Sequence, residues 1–245
     1  METIDGSWTI CGLGRDDPRA LHTVDEAIEY INEVGFLPFF QCGIPGFSLE
    51  ERTISLDWWG PDPSVDPWEW RAVIARSGKI AYGKFFSGKA GFITPKWLPY
   101  FVNYRRDGYD FDALWDDEKA SLRQKKIMDV FMSGNKEHEP EYFTNEIKQL
   151  AGFYKGGEKG FEGTLTSLEM QLYLCDKDFR QRKNKKGESY GWSIAVLSTP
   201  ETIFGRDLIT SAYKEDPAKS AERIAGHIKG LFPDASDKQI NKVLG

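Results

Sequence analysis

Thr166-Ser167-Leu168-Glu169-Met170-Gln171-Leu172-Tyr173-Leu174, then Phe179-Arg180-Gln181-Arg182-Lys183-Asn184-Lys185-Lys186-Gly187, then Tyr190-Gly191-Trp192-Ser193-Ile194-Ala195-Val196-Leu197, is the stretch on which the fold reading turns. Thr166 or Ser167 can cap a helix whose Leu168, Leu172 and Tyr173 share an apolar face. Two runs of strand formers then flank a turn in which Asn184 and Gly187 can take positive φ angles. Five of the seven residues from Arg180 to Lys186 are basic and none is acidic. A helix followed by a hairpin with a charged tip is the order of a winged helix. There the helix lies in the major groove and the wing reaches phosphates or the minor groove.

Working outward, the same order occurs twice. Ahead of the quoted stretch, Thr144 can cap Asn145 to Ala151, and a Gly-rich segment covers 156–163. In the first half, Thr23 can cap a helix carrying Val24, Ala27, Ile28, Ile31 and Val34 at helical spacing, ended near Gly35 and Pro38. Asp66-Pro67 opens a second helix, with Asp at the cap and Pro in the first turn. Lys79 to Phe86 and Ala90 to Ile93 read as strands around Ser87-Gly88-Lys89. Lys96 to Arg105, Ala113 to Met132, Pro217 to Leu231 and Asp234 to Leu244 read as further helices. The polar stretch from Ser133-Gly134 to Pro140 is the best linker. The expectation is an α+β, mainly helical protein of two winged-helix-like units, residues 1–134 and 135–245, the second also carrying the terminal helices.

Composition narrows the function. The 245 residues carry 32 basic and 38 acidic side chains, a net charge of −6, which argues against coating nucleic acid through bulk charge. The charge is uneven, however. Residues 1–78 hold 5 basic and 14 acidic residues, whereas 79–110 hold 6 and 2 and 151–191 hold 8 and 6, so two basic islands coincide with the two hairpins. No stretch approaches the roughly 18 apolar residues of a membrane span, and the acidic N-terminus does not read as a signal peptide. Cys11, Cys42 and Cys175, scattered and odd in number, suit a reducing cytoplasm. His22, His138 and His227 form no local metal motif, and the sequence calls for no metal or cofactor.

The expected partner is double-stranded DNA. Arg180, Arg182, Lys183, Lys185 and Lys186 would neutralise phosphates, with Lys84 and Lys89 on a second wing, although a solvated lysine-rich loop has the same composition. Glu169, Gln171, Asp176 and Lys177 are candidate contacts of the preceding helix. Arg105 and Arg106, beside Tyr104 and Tyr109, suit a phosphate clamp or simply the negative end of a helix. Trp58, Trp59, Trp68 and Trp70, half of the eight tryptophans, lie within thirteen residues. Their rings can stack on a base, line a pocket for a small aromatic ligand, or pack as core. Cys42, with no His nearby in sequence, reads as a small buried residue.

Gly35-Phe36-Leu37-Pro38-Phe39-Phe40, Trp58-Trp59-Gly60, Asp66-Pro67-Trp68-Glu69-Trp70-Arg71, Tyr82-Gly83-Lys84-Phe85-Phe86, Arg105-Arg106-Asp107-Gly108-Tyr109 and Lys185-Lys186-Gly187 with Tyr190-Gly191-Trp192 together resemble the bacterial AlkZ-related protein family. The resemblance runs from about residue 24 to 205. It implies distant similarity to AlkZ-type DNA glycosylases, which are built of tandem winged helices and excise alkylated or cross-linked bases. Those enzymes carry a Gln, apolar, Gln-or-Asp triplet that positions water, and no such triplet occurs here. The nearest is Glu169-Met170-Gln171, in which Glu169 would act as general base and Gln171 would orient water. Three readings follow: a DNA-binding protein, a base-excising hydrolase using Glu169 or Asp62, and a fold serving protein association or small-ligand binding.

Overall fold

A computed structural model describes residues 2–4, 7–132 and 140–245. The linker expected at 133–140 therefore falls almost wholly outside the described residues, as does His138. A short hairpin of β1 (Glu2–Ile4) and β2 (Ser7–Thr9) stands apart from the main sheet. Helix α1 (Val24–Val34) starts where Thr23 accepts the Glu26 N–H and buries Ala27, Ile31 and Val34. It stops at Gly35, which takes φ 86°. A Cβ at that position would meet the Trp97 indole at 2.3 Å, so the close approach demands glycine. Strand β3 (Phe36–Pro38) follows directly. Asp66 caps α2 (Pro67–Arg76) by accepting the Trp68 N–H at 2.8 Å, as the Asp-Pro pair predicts.

The first hairpin is β4 (Ala81–Phe86) and β5 (Lys89–Ile93), joined by Ser87 and Gly88 at φ 50° and 75°. Helices α3 (Leu98–Arg106), α4 (Phe111–Asp116) and α5 (Leu122–Met132) come next. The single helix expected over 113–132 is thus two, because Glu118 takes a left-handed φ of 57° and breaks the run. Strand β6 (Tyr142–Phe143) leads into α6 (Thr144–Leu150), and α7 (Phe161–Met170) precedes the second hairpin, β7 (Cys175–Lys183) and β8 (Ser189–Ser198). Here the cap expectation fails. Thr166 and Ser167 lie inside α7, which starts after Gly160 and ends before Leu172, a residue at φ 60°. Leu172, Tyr173 and Leu174 are buried, as their apolar character predicts, but in the turn that feeds β7. Helices α8 (Pro200–Phe204), α9 (Arg206–Ile209), α10 (Pro217–Leu231) and α11 (Asp237–Leu244) close the chain.

The architecture is α+β, with one six-stranded antiparallel sheet in the order β3-β5-β4-β7-β8-β6. That order is symmetric about its centre. In each half a short strand follows a helix, further helix intervenes, and a hairpin returns so that its second strand pairs with the short one. The two hairpins meet back to back through β4 and β7, where the paired register is Tyr82 opposite Asp176. The larger hydrophobic core joins α1, β3, α2, β4, β5 and α3 to Leu172, Cys175 and the apolar faces of α10 and α11. A second core gathers α4 to α7 under Tyr173, Leu174 and Leu197. Much of the aromatic surplus is consumed here: Phe36 alone meets Phe47, Trp97 and Phe101 edge-on at centroid distances of 6.1, 5.2 and 4.8 Å.

Candidate nucleic-acid interface

The second hairpin outgrows its sheet. Near the sheet centre β7 and β8 are buried or half-buried on both faces, but from residue 180 to residue 193 every residue is exposed. Among the described residues no element buries either face of that part, so strand alternation no longer hides one row of residues. The tip is closed locally: the Asn184 N–H donates 2.9 Å to the Glu188 carbonyl, the Gly187 N–H returns to the Asn184 carbonyl, and Gly187 takes φ 82°. Asn184 also donates from its amide to the Glu188 carboxylate at 2.8 Å. Lys183, Lys185 and Lys186 have no ion pair among the described residues, and Arg182 only stacks on Tyr190 at 5.2 Å. Trp192 is 85% exposed on the same hairpin. Four cations and two accessible aromatic rings therefore project together into water.

Arg180, at the base of this hairpin, is held differently. Its Nε donates to Asp178 at 2.6 Å and its Nη1 to Glu141 at 2.7 Å. Bonds to Glu141 first, and to Asp178, raise its pKa further above the ordinary guanidinium range. Asp178 is buried and also accepts Arg76 Nε at 2.8 Å, so it joins α2 of the first half to β7 of the second. Lys177 pairs with Glu141 at 2.9 Å.

The first hairpin makes no comparable exposed arm. The Ser87 hydroxyl donates to the Lys242 carbonyl on α11, and Gly88 lies against Thr166 and Met170 of α7. Lys84 is drawn inward: its Nζ is 3.3 Å from both Glu169 Oε2 and the Thr166 hydroxyl. Lys89 reaches back to the Gln41 carbonyl at 3.5 Å. Arg105 and Arg106 form no open clamp either. Arg105 donates to the Phe85 carbonyl at 3.0 Å, to the Met170 carbonyl at 3.1 Å and to the Leu244 carbonyl. Arg106, 3% exposed, holds Glu201, the Leu172 carbonyl and the Tyr213 hydroxyl. These arginines end α3 and tie it to the second half; nothing in their local sequence distinguishes that use from phosphate binding.

The tryptophan run splits in two. Trp58 and Trp70 are core residues, their indole N–H groups donating at 2.9 Å to the Thr53 hydroxyl and the Ser64 carbonyl. Trp59 stays 47% exposed at φ 55°, with Trp68 at 6.3 Å from it. Trp68 in turn lies under the Arg71 guanidinium at 3.5 Å, and the same guanidinium is 4.5 Å from the Phe179 ring. The cluster thus abuts the base of the exposed hairpin rather than forming a separate site. Asp62, fully exposed, accepts from Ser64, whose bonds lower its pKa.

A family model described as AlkZ related matches residues 21–245. The chain belongs to the AlkZ-related family. No curated protein and no solved structure matches it. In this AlkZ-related chain the pair nearest to a catalytic triplet is used internally. Glu169 is 2% exposed, and its Oε1 accepts the Lys84 backbone N–H at 3.3 Å. Burial raises the Glu169 pKa, against the pull of Lys84. Gln171 accepts from the Gln124 amide at 3.0 Å. Asp176, also buried, cannot touch a base as the helical reading supposed, because it stands on β7 and not on a helix. Burial pushes the half-buried Cys42 thiol up to about 11, away from the thiolate form that nucleophilic attack uses. Among the described residues no cluster of three or more His, Cys, Asp or Glu could hold a metal ion, and no helix is long and apolar enough to cross a membrane.

Sequence reasoning missed Arg76, Asp178, Tyr190 and Trp192. The last two carried a legible signal, since aromatics beside a lysine-rich tip on a long hairpin have little to pack against. Arg76 and Asp178 carried none, being 102 positions apart.

Proposed function

We propose that this AlkZ-related protein binds double-stranded DNA through the β7–β8 hairpin, acting as the wing of the second of two winged-helix units. The winged-helix reading rests on the connectivity of each half, in which the short strand pairs with the outer strand of the following hairpin, giving β3-β5-β4 and β6-β8-β7. The observation that carries the DNA reading is the exposed run 180–193 with Arg182, Lys183, Lys185 and Lys186 free of carboxylate partners among the described residues. Such cations release condensed counterions when they meet phosphates, each neutralised phosphate contributing a slope of about −0.9 in log K against log salt. Tyr190 and Trp192 add stacking surface that tolerates any base.

The wing, and not α7, makes the contact. On α7 the exposed positions are Glu162 and Gly163, and its other end is pressed on the first hairpin, so it offers DNA a carboxylate and no cation. Anisotropy titrations of labelled duplex DNA at several salt concentrations test this. The intact protein should bind at low salt with a slope of about −3.6, four phosphates at about −0.9 each. Replacing Lys183, Lys185 and Lys186 by Gln should weaken binding at least about tenfold and reduce the slope by about 2 to 3. Undetectable binding at low salt, or an unchanged slope in the triple variant, overturns the reading.

A further inference from the structure

The exposed hairpin and α2 enclose a cleft of about 760 Å³ lined by Arg76, Asp178, Phe179, Arg180, Lys183 and Ser193, among others. Two of its cations come from different halves of the chain and share one anchor. Asp178, 4% exposed, accepts Arg76 Nε at 2.8 Å on Oδ1 and Arg180 Nε at 2.6 Å on Oδ2, while the Phe179 N–H donates to Oδ1 at 2.7 Å. Both guanidiniums are therefore gripped by the inner edge. Arg76 Nη2 leans on the Phe179 carbonyl at 3.4 Å and Arg180 Nη1 on Glu141 at 2.7 Å. Arg76 Nη1 and Arg180 Nη2 have no hydrogen-bond partner among the described residues, and both side chains keep outward exposure, at 58% and 43%.

We propose that Arg76 and Arg180, oriented by Asp178, form a clamp for one phosphate of the DNA strand that the wing follows. The inference rests on the DNA-binding reading above and adds to it a second anchoring point, made jointly by both halves. A guanidinium held by its Nε edge keeps its remaining N–H groups in a fixed plane, so less entropy is lost when an oxyanion arrives. Two such planes side by side suit a tetrahedral group with several acceptor oxygens better than a carboxylate with two. Lys183 supplies a third positive charge in the same cleft, and the Ser189 and Ser193 hydroxyls supply donors. Counting Arg76, Arg180, Lys183 and Lys177 against Asp178 and Glu141, the region keeps a net charge of +2. The ordering of the arginines by a buried carboxylate distinguishes this site from the hairpin tip, where cations attract only by charge.

The distinction gives a test with the full chain and a labelled duplex, read by anisotropy across a salt series. Asp178→Asn removes a negative charge beside the DNA, so charge alone would tighten binding; the clamp predicts a loss of about fivefold or more, because the two guanidiniums lose their common anchor. Arg76→Lys keeps the charge and loses the fork, and should also weaken binding by about fivefold to tenfold. Lys185→Gln serves as the report on the wing itself, weakening binding and lowering the salt slope by about 1. If Lys185→Gln weakens binding while Arg76→Lys and Asp178→Asn bind as well as the parent or better, the clamp is overturned and the wing reading stands. If the parent protein does not bind, both are overturned. Circular dichroism checks each variant, and should Asp178→Asn fail to fold, Arg76→Lys decides alone, since that largely exposed side chain makes little demand on the core.

Discussion

Asp176 carries a buried carboxyl with no hydrogen bond or ion pair among the described residues, at the one register position where the two hairpins join. Burial, reinforced by the neighbouring Glu169 carboxyl, drives its pKa well above the ordinary aspartate range, while Lys84 and Arg71 pull the other way. The groups facing it are Glu169 from α7, Tyr82 and Lys84 from β4 and Arg71 from α2. A carboxyl whose pKa is raised on folding stabilises the fold fully below its unfolded value of about 4, and that contribution is lost as pH rises through the folded value. Glu141, Glu158 and Glu215, whose ion pairs lower their pKa, act in the opposite direction. The comparison that isolates Asp176 is therefore a difference. Asp176→Asn should melt close to the parent near pH 4 and progressively above it as the pH rises; a difference independent of pH would show that the carboxyl is not protonated in the fold. Arg106 is the converse case, a buried cation whose two terminal nitrogens are both taken by protein acceptors. Arg106→Ala should cost about 3 kcal/mol in urea unfolding, because Glu201 and the Leu172 carbonyl lose their donor together.

The two hairpins show how one element type serves two purposes. The first is short and covered, and its strands approach so closely that a Cβ on Gly91 would meet the Phe86 ring at 2.4 Å and the Leu37 carbonyl at 2.8 Å. Gly91→Ala should destabilise by about 1–3 kcal/mol through overpacking, readable as a lower urea midpoint. The second hairpin extends beyond any cover, so replacing Lys183, Lys185 and Lys186 by Gln should leave stability within about 0.5 kcal/mol of the parent while DNA affinity falls. Sequence recognised both as hairpins from the same evidence, strand formers around a turn. It could not tell the free one from the covered one, because the partners of the first tip, Thr166, Met170 and Lys242, lie 78 or more positions away.

At the scale of the molecule the two halves share a sheet and a core. Leu172, Cys175, Ile224, Ile228, Ile240 and Val243 pack with residues of α1, β3 and α3, so neither half closes its larger hydrophobic surface alone. Chemical unfolding followed by tryptophan fluorescence and by far-ultraviolet circular dichroism should therefore give coincident transitions. Separate midpoints would mean that the halves fold independently, as a boundary near residue 134 suggests.

What the sequence determined by itself is local. Thr23 and Asp66 cap helices because a short oxygen-bearing side chain can reach N–H groups two or three residues on, and the strands alternate around turns because Ser87, Gly88 and Gly187 can adopt positive φ. The basic tip at Lys183 to Lys186 and the tryptophan cluster were visible for the same reason: their members are neighbours in the chain. The tertiary structure decided which of these groups face water. Arg105, Arg106 and Lys84 looked like phosphate contacts and became internal anchors, whereas Arg76 and Asp178, unremarkable in sequence, came together across the seam. A charged side chain is drawn equally to a phosphate and to a buried carbonyl or carboxylate, and only packing between distant segments settles which one it meets.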